Sequence, residues 1–447
     1  VELTGKRVLV VGLGASGRAA ALLCLSQGAV VMATDAHPDP PAADEVASAG
    51  AALSLGGHRP EDFAWAQLMV LSPGVDHRLP EIQRAAQAGV PVIGELELGW
   101  RFTTCPTVMI TGTNGKSTVT TLIGDILRHA GLKALVGGNL GRPLCDMAPE
   151  SGDADWAVVE VSSFQTDTMD QLRPRVAVVL NISPDHLDRY AGFEAYAASK
   201  MRLLMNQAGE DVAVLCADDK PTWSRRSSAP AQRWGYGAVG PYHPGGWLDG
   251  DALVLETPTG QAALSLGEGP LATGFNRLNS LAACLAGAAC GADFQAMQTA
   301  LDRFHGLAHR LELVGEKDGV AFYDDSKGTN VGAVAAALGA LERQVVLLLG
   351  GRDKEGRFDE LGPLLAKRAA KVVCFGEAGP AIRAQVERFA PSETAPDLAA
   401  AFVLAQAAAL PGQAVLLSPG CASFDAYQGY AQRGEHFQSL AREVIHG

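Results

Sequence analysis

The residues best equipped for chemistry close the octet TGTNGKST, Thr111 to Thr118. Lys116 carries a movable positive charge and Ser117 offers a hydroxyl to a divalent cation. Gly112 and Gly115 remain in the loop, whose backbone N–H groups and helix dipole point at an anion. A short apolar run, Val108 to Ile110, precedes the octet, and Val119, Leu122, Ile123, Ile126 and Leu127 repeat on one helical face after it. Strand, glycine turn and helix N-terminus together make a phosphate cradle. The first glycine of the strict phosphate-loop pattern is replaced by Ile110.

Other chemistry-bearing residues follow apolar runs in the same way. Glu160 lies in AVVEVSSFQ, where an unpaired carboxylate is costly to bury, and with Ser117 it makes an oxygen ligand set suited to Mg²⁺. Asp185, His186 and Asp188 sit in NISPDHLDRY after Val176 to Leu180, the kind of position where open α/β sheets keep metal or substrate ligands. Lys200 falls on a helix expected over Phe193 to Asn206 and, on pattern alone, reads as a surface lysine. Asn276 and Asn279 are one turn apart on a helix expected from Thr273, placed either to address a purine edge or ribose or to cap the helix. Later loops, DDSKGTN (Asp324 to Asn330), GGRDK (Gly350 to Lys354) and SPGCASFD (Ser418 to Asp425), bring Lys327, Arg352 and Lys354 to strand ends. With Arg310 they point to anion binding in an otherwise acidic chain. Near the start, GLGASG (Gly12 to Gly17) follows a strand over Arg7 to Val11, and Asp35 ends a second strand from Val30. This is a dinucleotide fingerprint, which by itself leaves open a dehydrogenase and a mere packing turn. Ser72-Pro73-Gly74, after a strand over Leu68 to Leu71, adds a turn at the same sheet edge, and no hydride-transfer machinery accompanies it.

All these residues need strand C-termini to hold them, and the alternation of strand and helix patterns supplies those. The expected fold is α/β in three domains: Rossmann-like over 1–94, a central P-loop ATPase-like domain with a mostly parallel sheet over 95–303, and Rossmann-like again over 304–447. With 447 residues, 47% of them hydrophobic and 19% charged, the chain has ample material for three cores. A net charge of −13 argues against nucleic acid or an anionic membrane as main partner. The eight cysteines form no C-x-x-C and suit reduced thiols in a cytosolic enzyme. No apolar run is long enough to span a bilayer, and the early run Val8 to Val11 enters a glycine turn as a strand does.

Taken in order, TGTNGKST, EVSSFQ, NISPDHLDRY with Lys200 downstream, GFNRLN, GLAHRLE, DDSKGTN, LLGGRDK and LLSPGCASFD resemble the Mur ligase family over essentially the whole chain. The DSK-x-TN and SP-x-CAS-x-D segments resemble its D-glutamate-adding branch. The resemblance implies a cytoplasmic, monomeric ligase that uses ATP and two Mg²⁺ ions to join D-glutamate to UDP-N-acetylmuramoyl-L-alanine through an acyl phosphate, without nucleic acid. It also implies roles. Ser16, Asp35, Ser72 and Gly74 would contact the uridine nucleotide, and Asn139 the muramoyl side. Gly112, Thr113, Asn114, Gly115, Lys116, Ser117 and Thr118 would hold the ATP phosphates, with Asn276, Asn279, Arg310 and Asp325 around the adenine nucleotide. Ser117 and Glu160 would ligate one Mg²⁺, and His186 with a carbamylated Lys200 a second. Lys327 would approach the phosphate region, completing a catalytic set with Lys116, His186 and Lys200. Thr329, Lys354, Ser423, Phe424 and Tyr430 would form the D-glutamate pocket. Phe275 and Gly328 stand where the family commonly has His and Ala, and Phe424 and Tyr430 also differ in type from the residues most often seen there.

Overall fold

The structure is a computed structural model and describes residues 2–139, 141–267, 269–272, 274–353 and 356–447. Among them the strands fall into three sheets.

The first sheet is built from β1 (Arg7–Val11), β2 (Val30–Asp35), β3 (Ala52–Leu55), β4 (Leu68–Leu71) and β5 (Val92–Gly94), in the order β3-β2-β1-β4-β5 and parallel throughout. Successive residues of β1 feed opposite faces. Val8 and Val10 pack with Leu23, Cys24 and Val46, while Leu9 and Val11 pack with Phe63, Met69 and Ile82. Burial on both faces is why these runs are apolar without alternation. Strand order reverses between β1 and β4, so the turns after those strands open side by side at the carboxyl edge.

The second sheet comprises β6 (Thr107–Thr111), β7 (Ala134–Gly138), β8 (Trp156–Glu160), β9 (Val176–Val179), β10 (Val212–Cys216), β11 (Gln232–Gly237), β12 (Gly245–Asp249), β13 (Ala252–Thr257) and β14 (Gly260–Ser265). Its order is β14-β13-β12-β11-β10-β9-β6-β8-β7, and it is parallel except at β12-β13 and β13-β14. β6 lies between β8 and β9, which places the phosphate loop at the switch point. In the antiparallel part, β13 alternates buried and half-buried residues, as a sheet with one wetter face does.

The third sheet holds β15 (Glu312–Lys317), β16 (Val320–Asp324), β17 (Val345–Gly350), β18 (Ala369–Phe375), β19 (Ser392–Ala395) and β20 (Ala414–Gly420). Its order is β15-β16-β20-β17-β18-β19, with only β15-β16 antiparallel. By packing, the chain forms two units. One contains Val1–Ile182, Ala197–Gly267 and Leu278–Arg303, hence the first two sheets. The other contains Ser183–Tyr196, Glu268–Arg277 and Phe304–Gly447, hence the third.

Two carboxylates are buried just after the first sheet, in the helix Glu95–Phe102. Glu97 accepts from the backbone N–H groups of Asp170, Gln171 and Leu172 and pairs with Arg101 at 2.7 Å. Glu95 is less well served. Its Oε1 accepts from Cys145 N–H at 2.8 Å, while Oε2 finds no hydrogen-bond partner among the described residues. Burial pushes this carboxyl up to about 7.

Some elements differ from the sequence expectation. Gln232–Gly237 and Gly245–Asp249 are strands that no apolar run in the sequence marks. A Cβ on Gly235 would come within 2.9 Å of the Trp223 ring, and one on Gly237 within 2.5 Å of Asp218 Oδ1. These glycines permit close packing and do not break the strands. The helix expected from Thr273, which lies outside the described residues, runs over Asn276–Ala289. No helix among the described residues is long and apolar enough to cross a membrane.

Candidate active site

In the first unit the phosphate loop joins β6 to the helix Lys116–His129. Gly115 precedes that helix in a left-handed conformation, φ 90°, and a Cβ there would lie 2.5 Å from Asn279 Oδ1. Only glycine meets both demands. The loop is braced from β9: Thr113 N–H donates to Asn181 O at 2.8 Å, and the Asn181 side chain accepts from Asn114 N–H and donates to Asn114 O, both at 2.9 Å. In the sequence Asn181 only opens the motif NISPDHLDRY, with no role implied for it. Its signal was its place as the first residue after the strand run.

At the head of the loop the buried Ser117 hydroxyl donates to Glu160 Oε2 at 2.7 Å, and Asn139 Nδ2 donates to Glu160 Oε1 at 2.9 Å. The carboxylate is therefore stabilised where β8 ends, beside a hydroxyl of the same hard-oxygen type, a donor set that fits Mg²⁺. Lys116 Nζ donates to Gly112 O and Thr113 O, each at 2.9 Å. Lys200 is no surface residue: it is 2% exposed, and its Nζ donates to Gly112 O at 2.9 Å. Its helix, Phe193–Met201, also buries Ala197 and Ser199, so the residue's neighbours set its burial where its own type did not.

A cavity of about 430 Å³ opens at the carboxyl edge of the first sheet. Ser16, Asp35, Ser72, Gly74 and Asn139, the set that the resemblance groups together, all line it. Asp35 braces the glycine turn, accepting from Leu13 N–H at 2.6 Å and from His37 N–H at 2.8 Å. Asn139 links this cavity to Glu160.

In the second unit the Asp185 carboxylate accepts from His186 N–H at 2.9 Å and from Asn330 Nδ2 at 3.0 Å, and His186 is held at φ 54°. Asn276 donates to Pro270 O at 2.8 Å at the start of its helix. Asp325 is buried and accepts from Ser418 Oγ at 2.7 Å and Leu311 N–H at 3.2 Å. Burial pushes its carboxyl up to about 7 against the pull of Ser418 and the Arg310 charge. Lys327 Nζ stands 5.0 Å from the centre of the Tyr430 ring. Thr329 is half-buried, Ser423 buried and Phe424 64% exposed. Lys354 lies outside the described residues. His309, Glu312 and Asp324 cluster, but the Gln438 amide donates to Glu312 Oε2 at 3.0 Å and Asp324 Oδ2 at 2.9 Å, so the cluster is a hydrogen-bond hub.

Parallel sheets with glycine- and serine-rich loops at their carboxyl edges, one of them a phosphate loop with a hydroxyl–carboxylate pair, define a nucleotide-dependent α/β enzyme. Comparison with known proteins narrows the class. Residues 6–94 match the profile of the Mur ligase MurD-like N-terminal domain, 110–287 that of the Mur ligase middle domain, and 309–421 that of the Mur ligase glutamate ligase domain. The chain belongs to the Mur ligase family, whose members are ATP-dependent. A UDP-N-acetylmuramoylalanine–D-glutamate ligase of Desulfosudis oleivorans is 43% identical over 100% of this chain and 98% of that protein. One of the same name from Anaeromyxobacter dehalogenans is 44% identical over 99% and 98%. Among solved structures, a pseudomurein peptide ligase type C from Methanothermus fervidus shares the fold at a TM-score of 0.63 and 19% identity, covering 98% of this chain and 100% of that one.

Proposed function

We propose that this chain is an ATP-dependent amide-bond ligase that adds D-glutamate to UDP-N-acetylmuramoyl-L-alanine, working as a cytoplasmic monomer in peptidoglycan precursor synthesis. The observation that carries the ligase reading is the buried Ser117–Glu160 pair, 2.7 Å apart, at the head of the phosphate loop. The choice of D-glutamate is supported by the relatives of that name at 43% and 44% identity over nearly their whole length. We place domain limits at 1–94, 95–303 and 304–447, which the three profile matches support.

In this reading the L-alanine carboxylate attacks the γ-phosphorus of ATP, giving an acyl phosphate and ADP. The D-glutamate amine, as the free base, then attacks the acyl carbon; the C–N bond forms, phosphate leaves with the electrons of the acyl C–O bond, and the proton lost by the amine ends on that phosphate. Carboxylate and triphosphate repel each other. Lys116 and the N–H groups at the helix start, Gly115 to Thr118, offset the charge gathering on the transferred group. Ser117 and Glu160 would hold Mg²⁺, with His186 and a carbamylated Lys200 as ligands of a second ion; when bound, the metal supplies Lewis-acid charge neutralisation. Lys200 fits a carbamate, because its nitrogen keeps a hydrogen for Gly112 O after modification. A ¹³C carbamate resonance after incubation with labelled bicarbonate, lost in Lys200→Ala, is the expected signature; wild-type protein without it would remove that assignment.

Asn276, Asn279, Arg310 and Asp325 would position the adenine nucleotide. Ser16, Asp35, Ser72 and Gly74 would hold the uridine diphosphate in the cavity, and Asn139 the muramoyl end. Lys327 would face the phosphoryl group, and Thr329, Lys354, Ser423, Phe424 and Tyr430 the amino acid. The deciding assay supplies ATP, Mg²⁺ and UDP-N-acetylmuramoyl-L-alanine and follows phosphate release with D-glutamate, L-glutamate, L-alanine or a diamino acid. Release that does not depend on D-glutamate would overturn the specificity.

A further inference from the structure

Arg433 is among the largest fully buried side chains, yet all its hydrogen bonds go to neutral oxygens. Its Nε donates to Ser326 Oγ at 3.0 Å, one terminal nitrogen donates to Ser326 O at 2.8 Å and Cys421 O at 3.1 Å, and the other reaches Gly350 O at 3.5 Å. It stands in the first turn of the helix Tyr430–His446, where the macrodipole disfavours a cation. Burial pulls its guanidinium down to about 10. A buried cation with no carboxylate bound to it among the described residues, at the wrong end of a helix, is a poor choice for stability alone.

The geometry shows what the arginine does. Ser326 follows β16, Cys421 follows β20 and Gly350 ends β17, and these three strands are neighbours in the order β16-β20-β17. One planar fork reaches a carbonyl just beyond β16, one just beyond β20 and one at the end of β17. Ser326 also donates through its hydroxyl to Tyr430 O at 2.8 Å, and the Tyr430 ring supports Lys327. Ser326 adjoins Lys327, and Cys421 lies two residues before Ser423.

We infer that Arg433 is a positioning residue for the amino-acid subsite: it ties the loops after β16, β17 and β20 into one arrangement, acting through Ser326 and backbone carbonyls without touching substrate. The inference rests on the ligase reading and deepens it. A lysine at this position keeps the charge but cannot address three carbonyls from one plane.

The test measures KM for D-glutamate and for ATP in wild type, Arg433→Met, Arg433→Lys and Ser326→Ala, with folding checked by circular dichroism. Both arginine variants are expected to raise the D-glutamate KM about tenfold or more and to leave the ATP KM within about twofold. Ser326→Ala, which loses only a hydroxyl, should move the D-glutamate KM about threefold in the same direction, and it decides the matter if the arginine variants do not fold. Folded variants with an unchanged D-glutamate KM, equal rises in both KM values, or full rescue by Arg433→Lys would overturn the positioning role. A wild-type enzyme without D-glutamate-dependent phosphate release would refute the functional reading itself.

Discussion

Replacing Glu95 by Gln should make the protein more stable at alkaline pH and leave it unaided in acid. In the fold this carboxyl is buried, with one oxygen on Cys145 N–H and the other without a hydrogen-bond partner among the described residues, and it titrates at about 7 instead of its ordinary 4.5. A raised folded pKa means that the native state holds the proton more tightly than the unfolded chain does. The associated stability is therefore full below the unfolded value of 4.5, falls as pH rises, and is gone above about 7. The displacement of about 2.5 units corresponds to roughly 3 kcal/mol at about 1.4 kcal/mol per unit. Glu95 opens its helix, and the positive helix end returns about 0.3–1 kcal/mol to the carboxylate, leaving about 2–3 kcal/mol. Glutamine removes the titration and keeps an acceptor for Cys145. Urea unfolding of both proteins between about pH 5 and about pH 8.5 should show the Glu95→Gln advantage growing by about 2 kcal/mol or more. An advantage constant to about 0.5 kcal/mol over that range would refute the assignment of a buried, proton-binding carboxyl here.

Asn181→Ala removes both side-chain bonds to Asn114; we expect about 2 kcal/mol of destabilisation by denaturant titration and an ATP KM about tenfold higher. Glu160→Gln should lower kcat about 100-fold and raise the Mg²⁺ concentration for half-activity, read from phosphate release across a metal titration. Asp325, with its carboxyl at about 7, is charged only above that pH, so the ATP KM should rise as pH falls through it, whereas Asp325→Asn should be flat with pH.

Where a run was continuously apolar, the sequence alone located the strand: Leu68–Leu71 and Val176–Val179 fall where the pattern places them, as does the helix after the phosphate loop. Gln232–Gly237 was hidden because a glycine that admits a tryptophan ring looks the same in sequence as one that makes a turn. Ser392–Ala395, a polar strand at the end of its sheet, carries no alternation to detect. Glu160 was legible because it ends an apolar strand and Ser117 because it belongs to the phosphate-loop pattern, Asn139 came only with the resemblance, and their meeting is a consequence of sheet order. Lys200 and Arg433 were not. A long basic side chain on a helix is usually solvated, and only the packed neighbours reveal that these two are enclosed.

The third sheet also fixes a timetable. Its inner strand β20 is the last strand along the described chain, and it lies between β16 and β17, which are made some seventy to ninety residues earlier. On a ribosome the first two sheets have all their strands well before Ala414 appears, while β16 and β17 wait with the N–H and C=O groups of their facing edges unpaired by β20. Ser418 and Gly420 lie on that same strand and Cys421 follows it at once. Synthesis interrupted before this point would thus yield a chain with its phosphate loop formed but its third sheet open, a natural substrate for chaperones and proteases.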